Sequence, residues 1–225
     1  MERFFDIFFS SLALMFLSPL LIPICLALRL SGEGEIFFLQ ERIGKYGKPF
    51  KLYKFATMLK DSPNLGTGTV TMKGDPRVLP VGKFLRKTKI NELPQLLNIF
   101  FGHMSVIGPR PLTSQTFGSY SLHIQETIKQ VRPGLSGIGS IIFRGEEEIM
   151  YGASASVEFY SNTIAPYKGS LEEWFVSQKG LYIYFIAIFV TAWAVIMPNT
   201  SIAWKVFKDL PEPNSELKKA LNYPK

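Results

Sequence analysis

Residues 7–28 read IFFSSLALMFLSPLLIPICLAL, a run without a single charged residue. A straight helix of about 22 residues reaches roughly 33 Å, which is enough to cross the hydrocarbon core of a bilayer. Pro19 and Pro23 interrupt the run, and neither can donate a backbone hydrogen bond. We therefore expect this segment to decide the architecture, because it enters a membrane and its prolines bend it there.

The prolines predict two short helical arms instead of one long helix. Ser18 can cap a second arm that begins at Pro19, which gives arms of about 14 and 12 residues that reach only about 21 and 18 Å. Neither arm crosses a layer of roughly 30 Å, so residues 1–30 are expected to form a re-entrant helix hairpin. Arg3 and Arg29 flank it, as expected when both ends lie on the cytoplasmic side. A single kinked spanning helix is the alternative, because membrane helices tolerate proline.

The composition agrees with a protein bound to a membrane. Hydrophobic residues make up 47% of the chain and charged residues 19%, a charged share below the roughly 25% of soluble domains. The net charge of +7 suits phosphate-bearing membranes and phosphorylated ligands. Cys25 is the only cysteine in the sequence, which excludes an internal disulfide and a zinc site built from several cysteines. Glu2 and Asp6 argue against a cleaved signal peptide, whose first residues should be basic.

The polar middle of the chain, residues 31–200, is expected to form one domain that carries the chemistry. Residues 37–40 and 50–55 read as two short strands around a turn. The second strand alternates apolar and basic residues, so it has one basic face. Lys54 on this face is a candidate contact for a phosphate group or a lipid headgroup.

Residues 81–97 are predicted to form an amphipathic helix that leads into a second helix at about Asn91. The basic residues of this segment, Arg86 among them, are expected near the membrane surface. Taken by itself, Glu92 reads as an acid on the surface of a helix. The predicted fold class is mainly α with a small β-hairpin, in which amphipathic helices surround a compact domain.

Two proline-stiffened loops carry arginines suited to phosphate. Residues 108–111 read GPRP, and the two prolines hold the backbone extended and fix the direction of Arg110. Residues 132–137 read RPGLSG and form a second rigid turn with an arginine at its head. A guanidinium held in this way suits a bidentate contact with phosphate. Structural stiffening alone is the alternative for either loop.

The C-terminal third is less informative. Residues 181–197 are uncharged and apolar, and they can cross the membrane, lie in its interface or pack against a second copy of the chain. The three acids at 146–148 can bind a metal ion, but such a run is more typical of a solvated helix start. Residues 201–225 read as a polar tail.

Taken together, the chain resembles the bacterial sugar transferases, which are small monotopic polyprenyl-phosphate glycosyl-1-phosphate transferases. The resemblance covers most of residues 1–140, and the chain beyond about residue 145 is much less diagnostic. The motifs that carry it are the Ser18–Pro19 break, QERIG at 40–44, GKPFK at 47–51, YKF at 53–55, DPR at 75–77, GKFLRKT at 82–88, ELPQL at 92–96, GPRPL at 108–112 and RPGLSG at 132–137.

The resemblance implies transfer of a sugar 1-phosphate from a UDP-sugar to a polyprenyl phosphate such as undecaprenyl phosphate, with release of UMP. This is the first membrane step of surface-glycan assembly. Mg²⁺ is the implied cofactor, and the implied location is the bacterial inner membrane, with the catalytic domain on the cytoplasmic face. A homodimer through residues 181–197 is a further expectation. Nucleic acid is not expected as a partner, because the basic residues follow a segment that enters the membrane.

Members of the family use an adjacent Asp-Glu pair, whose aspartate attacks the diphosphate and forms a covalent phosphosugar intermediate. The resemblance makes Glu92 the magnesium ligand and Arg110 a catalytic, phosphate-binding residue. Pro111 belongs to the same proline-enclosed loop. Lys54 and Arg86 complete the expected set of residues that bind the phosphate-bearing substrates.

The sequence departs from the family at the attacking residue, because position 91 is asparagine and an amide is a very poor nucleophile. Asn91 is either an inactivating substitution or a variant that relies on direct attack by the lipid phosphate or by another carboxylate such as Asp75. In the third explanation the protein has lost turnover and acts as a donor-binding, lipid-binding or scaffold protein. If the covalent route is obligatory, loss of the carboxylate should slow the reaction by orders of magnitude.

Overall fold

The computed structural model describes residues 1–64, 75–144, 159–197 and 200–224. This part of the chain is mostly helical with two small two-stranded sheets, which confirms the predicted class in its coarse form; the acids at 146–148 lie outside it. The helices and strands are α1 Glu2–Arg29, β1 Phe37–Ile43, β2 Pro49–Phe55, α2 Pro80–Lys87, α3 Gln95–Phe101, β3 Ser105–Ile107, α4 Ser114–Gly118, α5 Leu122–Ile128, β4 Gly134–Ser136, α6 Ile138–Ile142, α7 Ala165–Ser177, α8 Leu181–Ile196, α9 Ile202–Val206 and α10 Ser215–Ala220.

The chain folds into two compact units. The N-terminal unit comprises Asp6–Glu41 and Lys51–Gly102. The C-terminal unit comprises Met1–Phe5, Arg42–Phe50 and His103–Lys225. The two units differ from the segments expected from sequence, which are a membrane segment at 1–30, a catalytic domain at 31–200 and a tail at 201–225. Those segments were defined by function, and they stay a prediction.

Helix α1 is continuous over 28 residues and contains both prolines. The expected division into two arms is not seen in this helix, and the Ser18 hydroxyl does not cap a new one. It donates instead to the Met15 carbonyl, at 2.8 Å. Pro19 leaves that same carbonyl without its helical donor, because the proline nitrogen carries no hydrogen. The serine therefore supplies the missing bond, and the helix continues past Pro19.

Among the helices that the structure describes, α1 alone is long and apolar enough to cross a membrane. Only 6% of its most apolar stretch is buried, so α1 is not the core helix of a soluble fold. Helix α8 confirms the predicted apolar helix near 181–197 but is shorter, with 16 residues. The large apolar side chains that α1 exposes are Phe4, Ile7, Phe8, Leu12, Met15, Phe16, Leu20, Ile22 and Leu26.

The core of the N-terminal unit joins the end of α1 to the β-hairpin and to α2. Leu28, Phe55 and Leu85, one from each element, are each at most 2% exposed and pack together. The predicted hairpin is confirmed, because β1 pairs with β2 around a short turn at Lys45–Gly47. This packing fixes α2 on the hairpin, and the turn that follows α2 carries two of the predicted site residues.

The C-terminal unit contains a second sheet, in which β3 and β4 are parallel. Ser105 lies opposite Gly134, and Ile107 lies opposite Ser136. We did not predict this sheet, because strands of three residues have no detectable period and these two are distant in sequence. Helix α7 packs against α5 and α6, while α8 packs against α6 and β3.

The segment predicted as a polar tail is packed on the C-terminal unit. Phe207 and Leu217 are buried there, and the Phe207 ring meets the Trp174 ring of α7 at 5.8 Å between centroids. The Tyr167 hydroxyl donates to the Pro211 carbonyl at 2.7 Å. Lysines and prolines give this segment a polar appearance, but its apolar residues Ala203, Phe207, Leu217 and Leu221 are buried.

Candidate active site

The loop at residues 108–111 is hydrogen-bonded to other elements through the backbone of each of its residues. Its first half bonds to β4. The Gly108 N–H donates to the Ser136 carbonyl at 2.9 Å, and the Pro109 carbonyl accepts the Gly134 N–H at 2.8 Å. The two loops that the sequence singled out separately are therefore one structure.

The second half of the loop bonds to two charged side chains. The Arg110 N–H donates to the Glu172 carboxyl. The Pro111 carbonyl accepts a hydrogen bond from Arg42 Nη1 at 3.0 Å, so the contribution of Pro111 is structural. The Arg110 side chain is exposed. The loop thus presents an exposed arginine on a backbone that is held from several sides.

The close approach of the two loops requires glycine at position 108. A Cβ atom there would overlap the Arg132 carbonyl oxygen and would lie 2.9 Å from the Gly134 nitrogen. Both neighbours are backbone atoms, and backbone cannot move aside as a flexible side chain would.

Glu172 of α7 is a residue of this site that our sequence analysis missed. Its side chain is 2% exposed, and burial raises the pKa of its carboxyl to about 7. The positive charge of Lys168 and the N–H and charge of Arg110 oppose that rise. Among the described residues, Glu172 Oε2 has no hydrogen-bond partner.

The sequence did contain a signal for this pair. A lysine and a glutamate four residues apart on a helix usually form an exposed pair, which is why Lys168 and Glu172 attract no attention. They alternate with Ala165 and Phe175 at the spacing of a single helix face, however, and all four residues are buried. Charged residues inside an apolar stripe indicate a buried polar site.

Asn91 and Glu92 lie in the turn Ile90–Glu92 between α2 and α3. Lys89, just before it, has φ +60°, a left-handed conformation that is uncommon for residues other than glycine. Asn91 is buried, and within the described part of the chain its Oδ1 has no hydrogen-bond partner. Glu92 is half-buried. Because leaving a buried acceptor unpaired costs free energy, this oxygen is suited to receive a ligand.

The helix that follows this turn is fixed to the hairpin by Asn98, which is fully buried in α3. Asn98 Nδ2 donates to the Lys51 carbonyl at 2.7 Å, and Oδ1 accepts the Tyr53 N–H at 2.9 Å. One side chain therefore pairs with two backbone groups of β2. The start of α3, and the turn before it, are attached to a rigid strand.

The donor atoms of the turn fit a magnesium ion. Mg²⁺ prefers oxygen ligands, and it usually combines one or two carboxylates with waters and substrate phosphates. Asn91 Oδ1 and the Glu92 carboxylate are oxygens of adjacent residues, and the first is unpaired among described residues. The described residues contain no group of three or more His, Cys, Asp or Glu side chains that could hold a metal ion. An ion here would take its other ligands from water and substrate.

Asp75 does not have a free carboxylate to replace the family's nucleophile. Arg77 Nε donates to Asp75 Oδ1 at 2.9 Å, and Nη2 donates to Oδ2 at 2.6 Å. Arg77 Nη1 also donates to the Ser62 carbonyl at 2.6 Å. Attack by Asp75 would require breaking a buried bidentate ion pair, which is costly. The pair closes the turn at residues 75–77.

The predicted site residues are divided between the two units. Arg86 lies on α2 with Nη1 3.6 Å from Met58 Sδ, and Lys54 lies on β2; both are half-buried. The N-terminal unit holds four of the predicted residues and the C-terminal unit holds two, which are Lys54, Arg86, Asn91 and Glu92, and Arg110 and Pro111 respectively.

Three features define the class of this protein. They are an apolar helix that exposes its side chains, a turn with an oxygen that is unpaired among the described residues and lies beside a carboxylate, and an arginine on a stiff loop. The model of the bacterial sugar transferase family matches residues 1–198. The chain belongs to this family.

The relatives include named transferases. The UDP-glucose:undecaprenyl-phosphate glucose-1-phosphate transferase of Escherichia coli K12 is 39% identical over 162 residues, which cover 71% of this chain and 35% of the relative. The exopolysaccharide production protein ExoY of Rhizobium meliloti is 36% identical over 164 residues, 67% of this chain and 71% of the relative. A UDP-N-acetylgalactosamine-undecaprenyl-phosphate N-acetylgalactosaminephosphotransferase of Aeromonas hydrophila is 36% identical over 143 residues, 63% of this chain and 34% of the relative. The chain thus spans about a third of the Escherichia and Aeromonas proteins.

Proposed function

We propose that this protein transfers a sugar 1-phosphate from a UDP-sugar to undecaprenyl phosphate and releases UMP, as an early step of surface-glycan assembly. The observation that carries the proposal is the loop at 108–111. Other elements hydrogen-bond to its backbone at every residue, and Arg110 is exposed. Two relatives support the proposal, because each of their names contains both a UDP-sugar and undecaprenyl phosphate.

Arg110 binds phosphate oxygens in this proposal. A fixed guanidinium can form two parallel hydrogen bonds to a phosphate and needs no reorganisation while charge builds on the leaving oxygen. Lys54 and Arg86 add positive charge as further phosphate contacts. Pro111 contributes through its ring, which disfavours a helical conformation of the preceding residue and so keeps the Arg110 backbone extended.

Glu92 and Asn91 Oδ1 are the proposed magnesium ligands. When bound, the ion neutralises charge on the phosphoryl oxygens. The unpaired amide oxygen supports this assignment, because a ligand would repay the cost of its burial.

With asparagine at position 91, we propose a single displacement. An oxygen of the lipid phosphate forms a bond to the phosphorus that bears the sugar, and the bond from this phosphorus to the oxygen of UMP breaks. UMP leaves with that electron pair. A covalent phosphosugar at residue 91 would need a carboxylate. A family member that binds donor and lipid without turnover is the alternative, and Asn91 is its motivation.

The membrane element in this proposal is α1, which stays helical but bends at Pro19 and Pro23, enters one leaflet and returns to the same face, so that the protein is monotopic in the bacterial inner membrane. Pro19 and Pro23 weaken the helix at its centre, and Arg3 and Arg29 favour a cytoplasmic position for both ends. Residues 31–200 would then form the catalytic domain on the cytoplasmic face. Exposed apolar residues on α8 are the basis for a homodimer contact.

The test of the reaction is UMP release. Purified full-length protein and its Asn91→Asp form are incubated with Mg²⁺, undecaprenyl phosphate and each of a panel of UDP-sugars. We expect the unchanged chain to release UMP slowly with at least one donor, and the aspartate form to release it faster with the same donor. If neither releases UMP from any donor, the transferase proposal is wrong. Donor binding without turnover in the unchanged chain would favour the binding protein.

The test of topology uses accessibility from the two sides of the membrane. In a Cys25→Ser background, cysteines are placed one at a time at Arg3 and at Ser31 and are labelled with an impermeant maleimide in inside-out and right-side-out vesicles. A re-entrant helix predicts labelling of both positions in the same vesicle orientation. Labelling in opposite orientations would instead establish a spanning helix.

A further inference from the structure

We propose that Glu172 is a positioning residue for Arg110, and that its buried carboxyl fixes the loop at 108–111 on α7 through the Arg110 N–H. The part of this inference that concerns turnover rests on the proposed function. The structural part, that one buried acid controls how firmly the loop is held, does not.

The geometry isolates this contact. Pro109 and Pro111 have no N–H, so Arg110 carries the only backbone donor among residues 109–111. That donor goes to the Glu172 carboxyl, and the backbone bonds of the flanking prolines use their carbonyls. Removing the carboxyl would leave this backbone donor without its acceptor, which costs free energy.

The Glu172 carboxyl is tightly enclosed by its neighbours. Glu172 is 2% exposed. A Cβ atom at Gly139 of α6 would overlap Glu172 Oε1, so the glycine makes room for the acid. Oε2 has no partner among the described residues, which is the unpaired atom that a proton would occupy when the group is neutral.

Within the described part of the chain, the charged groups that act on Glu172 are Lys168 and Arg110. Lys168 lies one turn earlier on α7 and is 4% exposed, and its Nζ also lies 5.2 Å from the centroid of the Phe143 ring. Arg110 contributes from the loop. Gly139, the neighbour from α6, carries no charge. Lys168 and Arg110 therefore oppose the effect of burial, which raises the pKa of Glu172 to about 7.

The protonation state of Glu172 should change the strength of its hydrogen bond with the Arg110 N–H. Hydrogen bonds to an ionised acceptor are roughly twice as strong as neutral ones, so the Arg110 N–H is held more tightly when Glu172 is charged. As the pH rises from about 5 to about 8.5, the carboxyl ionises and the loop becomes firmer. A phosphate site that depends on the direction of Arg110 should follow the same transition.

The primary measurement is the backbone amide of Arg110 in full-length protein in detergent, labelled with nitrogen-15 arginine and assigned through Arg110→Lys. We expect its chemical shift to titrate with a midpoint near pH 7, and Glu172→Gln to abolish this titration. We also expect Glu172→Leu to speed exchange of the Arg110 amide by about tenfold or more, because its hydrogen bond to the buried carboxyl is lost. Glu173→Gln is the matched control, because Glu173 adjoins Glu172 and pairs instead with His123.

The secondary measurement is UMP release as a function of pH. Glu172→Gln keeps an acceptor for the Arg110 N–H, so we expect it to retain turnover at pH 6 and to lose the rise that the unchanged chain shows towards pH 8. Glu172→Leu should lose about tenfold in kcat/KM at both pH values. Glu173→Gln should behave as the unchanged chain.

An Arg110 amide that does not titrate between pH 5 and 8.5, or that titrates unchanged in Glu172→Gln, overturns the inference even if Glu172→Leu fails to fold. Unchanged amide exchange in a folded Glu172→Leu protein overturns it as well. If the amide responds as expected but no form releases UMP, the proposed function fails and the structural part of the inference stands.

Discussion

The turn at 90–92 and the loop at 108–111 prepare their functional groups in opposite ways. In the first, the group is buried: Asn91 Oδ1 has no partner among the described residues, and the backbone before it is in a left-handed conformation. In the second, Arg110 is exposed, and the backbone that carries it is hydrogen-bonded at each residue of the loop. The first region therefore depends on which atom the side chain presents, and the second depends on how the backbone is held.

Replacing one atom at residue 91 should have the largest effect. Asn91→Asp restores an attacking carboxylate of nearly the same shape, and we expect UMP release to rise by about a thousandfold, which corresponds to roughly 4 kcal/mol. Intact-protein mass after exposure to donor alone should show an added phosphosugar on this variant and none on the unchanged chain. An aspartate form as slow as the asparagine form would mean that the side-chain atom at this turn does not limit the reaction.

Glu172 should make the stability of the C-terminal unit depend on pH. Between about pH 4.5 and 7 the folded protein retains a proton that the unfolded chain has released, so the free energy of unfolding falls as pH rises. The shift of the pKa from 4.5 to about 7 corresponds to at most about 3 to 4 kcal/mol. Glu172→Gln cannot ionise, so its Tm relative to the unchanged chain should increase from pH 5 to pH 8. A difference in Tm that is constant across this range would contradict the raised pKa, and Glu173→Gln serves as the control.

Backbone crowding at the loop should cost somewhat less. Gly108→Ala forces a Cβ atom against the Arg132 carbonyl, and we expect a loss of about 2 kcal/mol in the free energy of unfolding, measured by denaturant titration. Gly118→Ala is the matched control, because nothing lies within 4 Å of its added Cβ. Equal stability of the two variants would show that the loop tolerates movement away from β4.

The smallest of these effects is expected from a change of cation. Arg110→Lys keeps the charge and the backbone bonds but removes the fork that grips two phosphate oxygens. We expect kcat/KM for UMP release to fall about tenfold, or about 1.4 kcal/mol, with Tm unchanged. Unaltered kinetics would indicate that Arg110 acts as a point charge, or that it stiffens the loop and does not bind phosphate.

The same contrast explains what could be predicted from sequence. Local features could be predicted: the β-hairpin and the change from one helix to the next near Asn91 each depend on a few adjacent residues. The prediction of helix over residues 81–97 missed the turn Ile90–Glu92 that separates α2 from α3. Contacts between segments that are distant in the chain could not be predicted. The pairing of β3 with β4 and the bond from Glu172 to Arg110 join residues that are far apart in the chain, and no local period reports them.

At two places the structure differs from what the sequence suggests because a side chain makes a hydrogen bond that backbone groups usually make. A helix break at Ser18 is the normal expectation before proline, and the serine hydroxyl removed it by bonding to Met15. Asn98 likewise replaces a neighbouring strand for two groups of β2. Residue type alone does not distinguish these uses of serine and asparagine from their usual roles in caps and turns.

The first five residues belong to the C-terminal unit, with Glu2 bonded to Lys179 at 2.9 Å and the Phe5 ring 4.8 Å from the Phe185 ring. A ribosome synthesises those five residues well before Lys179 and Phe185. During translation Glu2 and Phe5 must therefore wait for the helices near Lys179 and Phe185 before they can reach their partners.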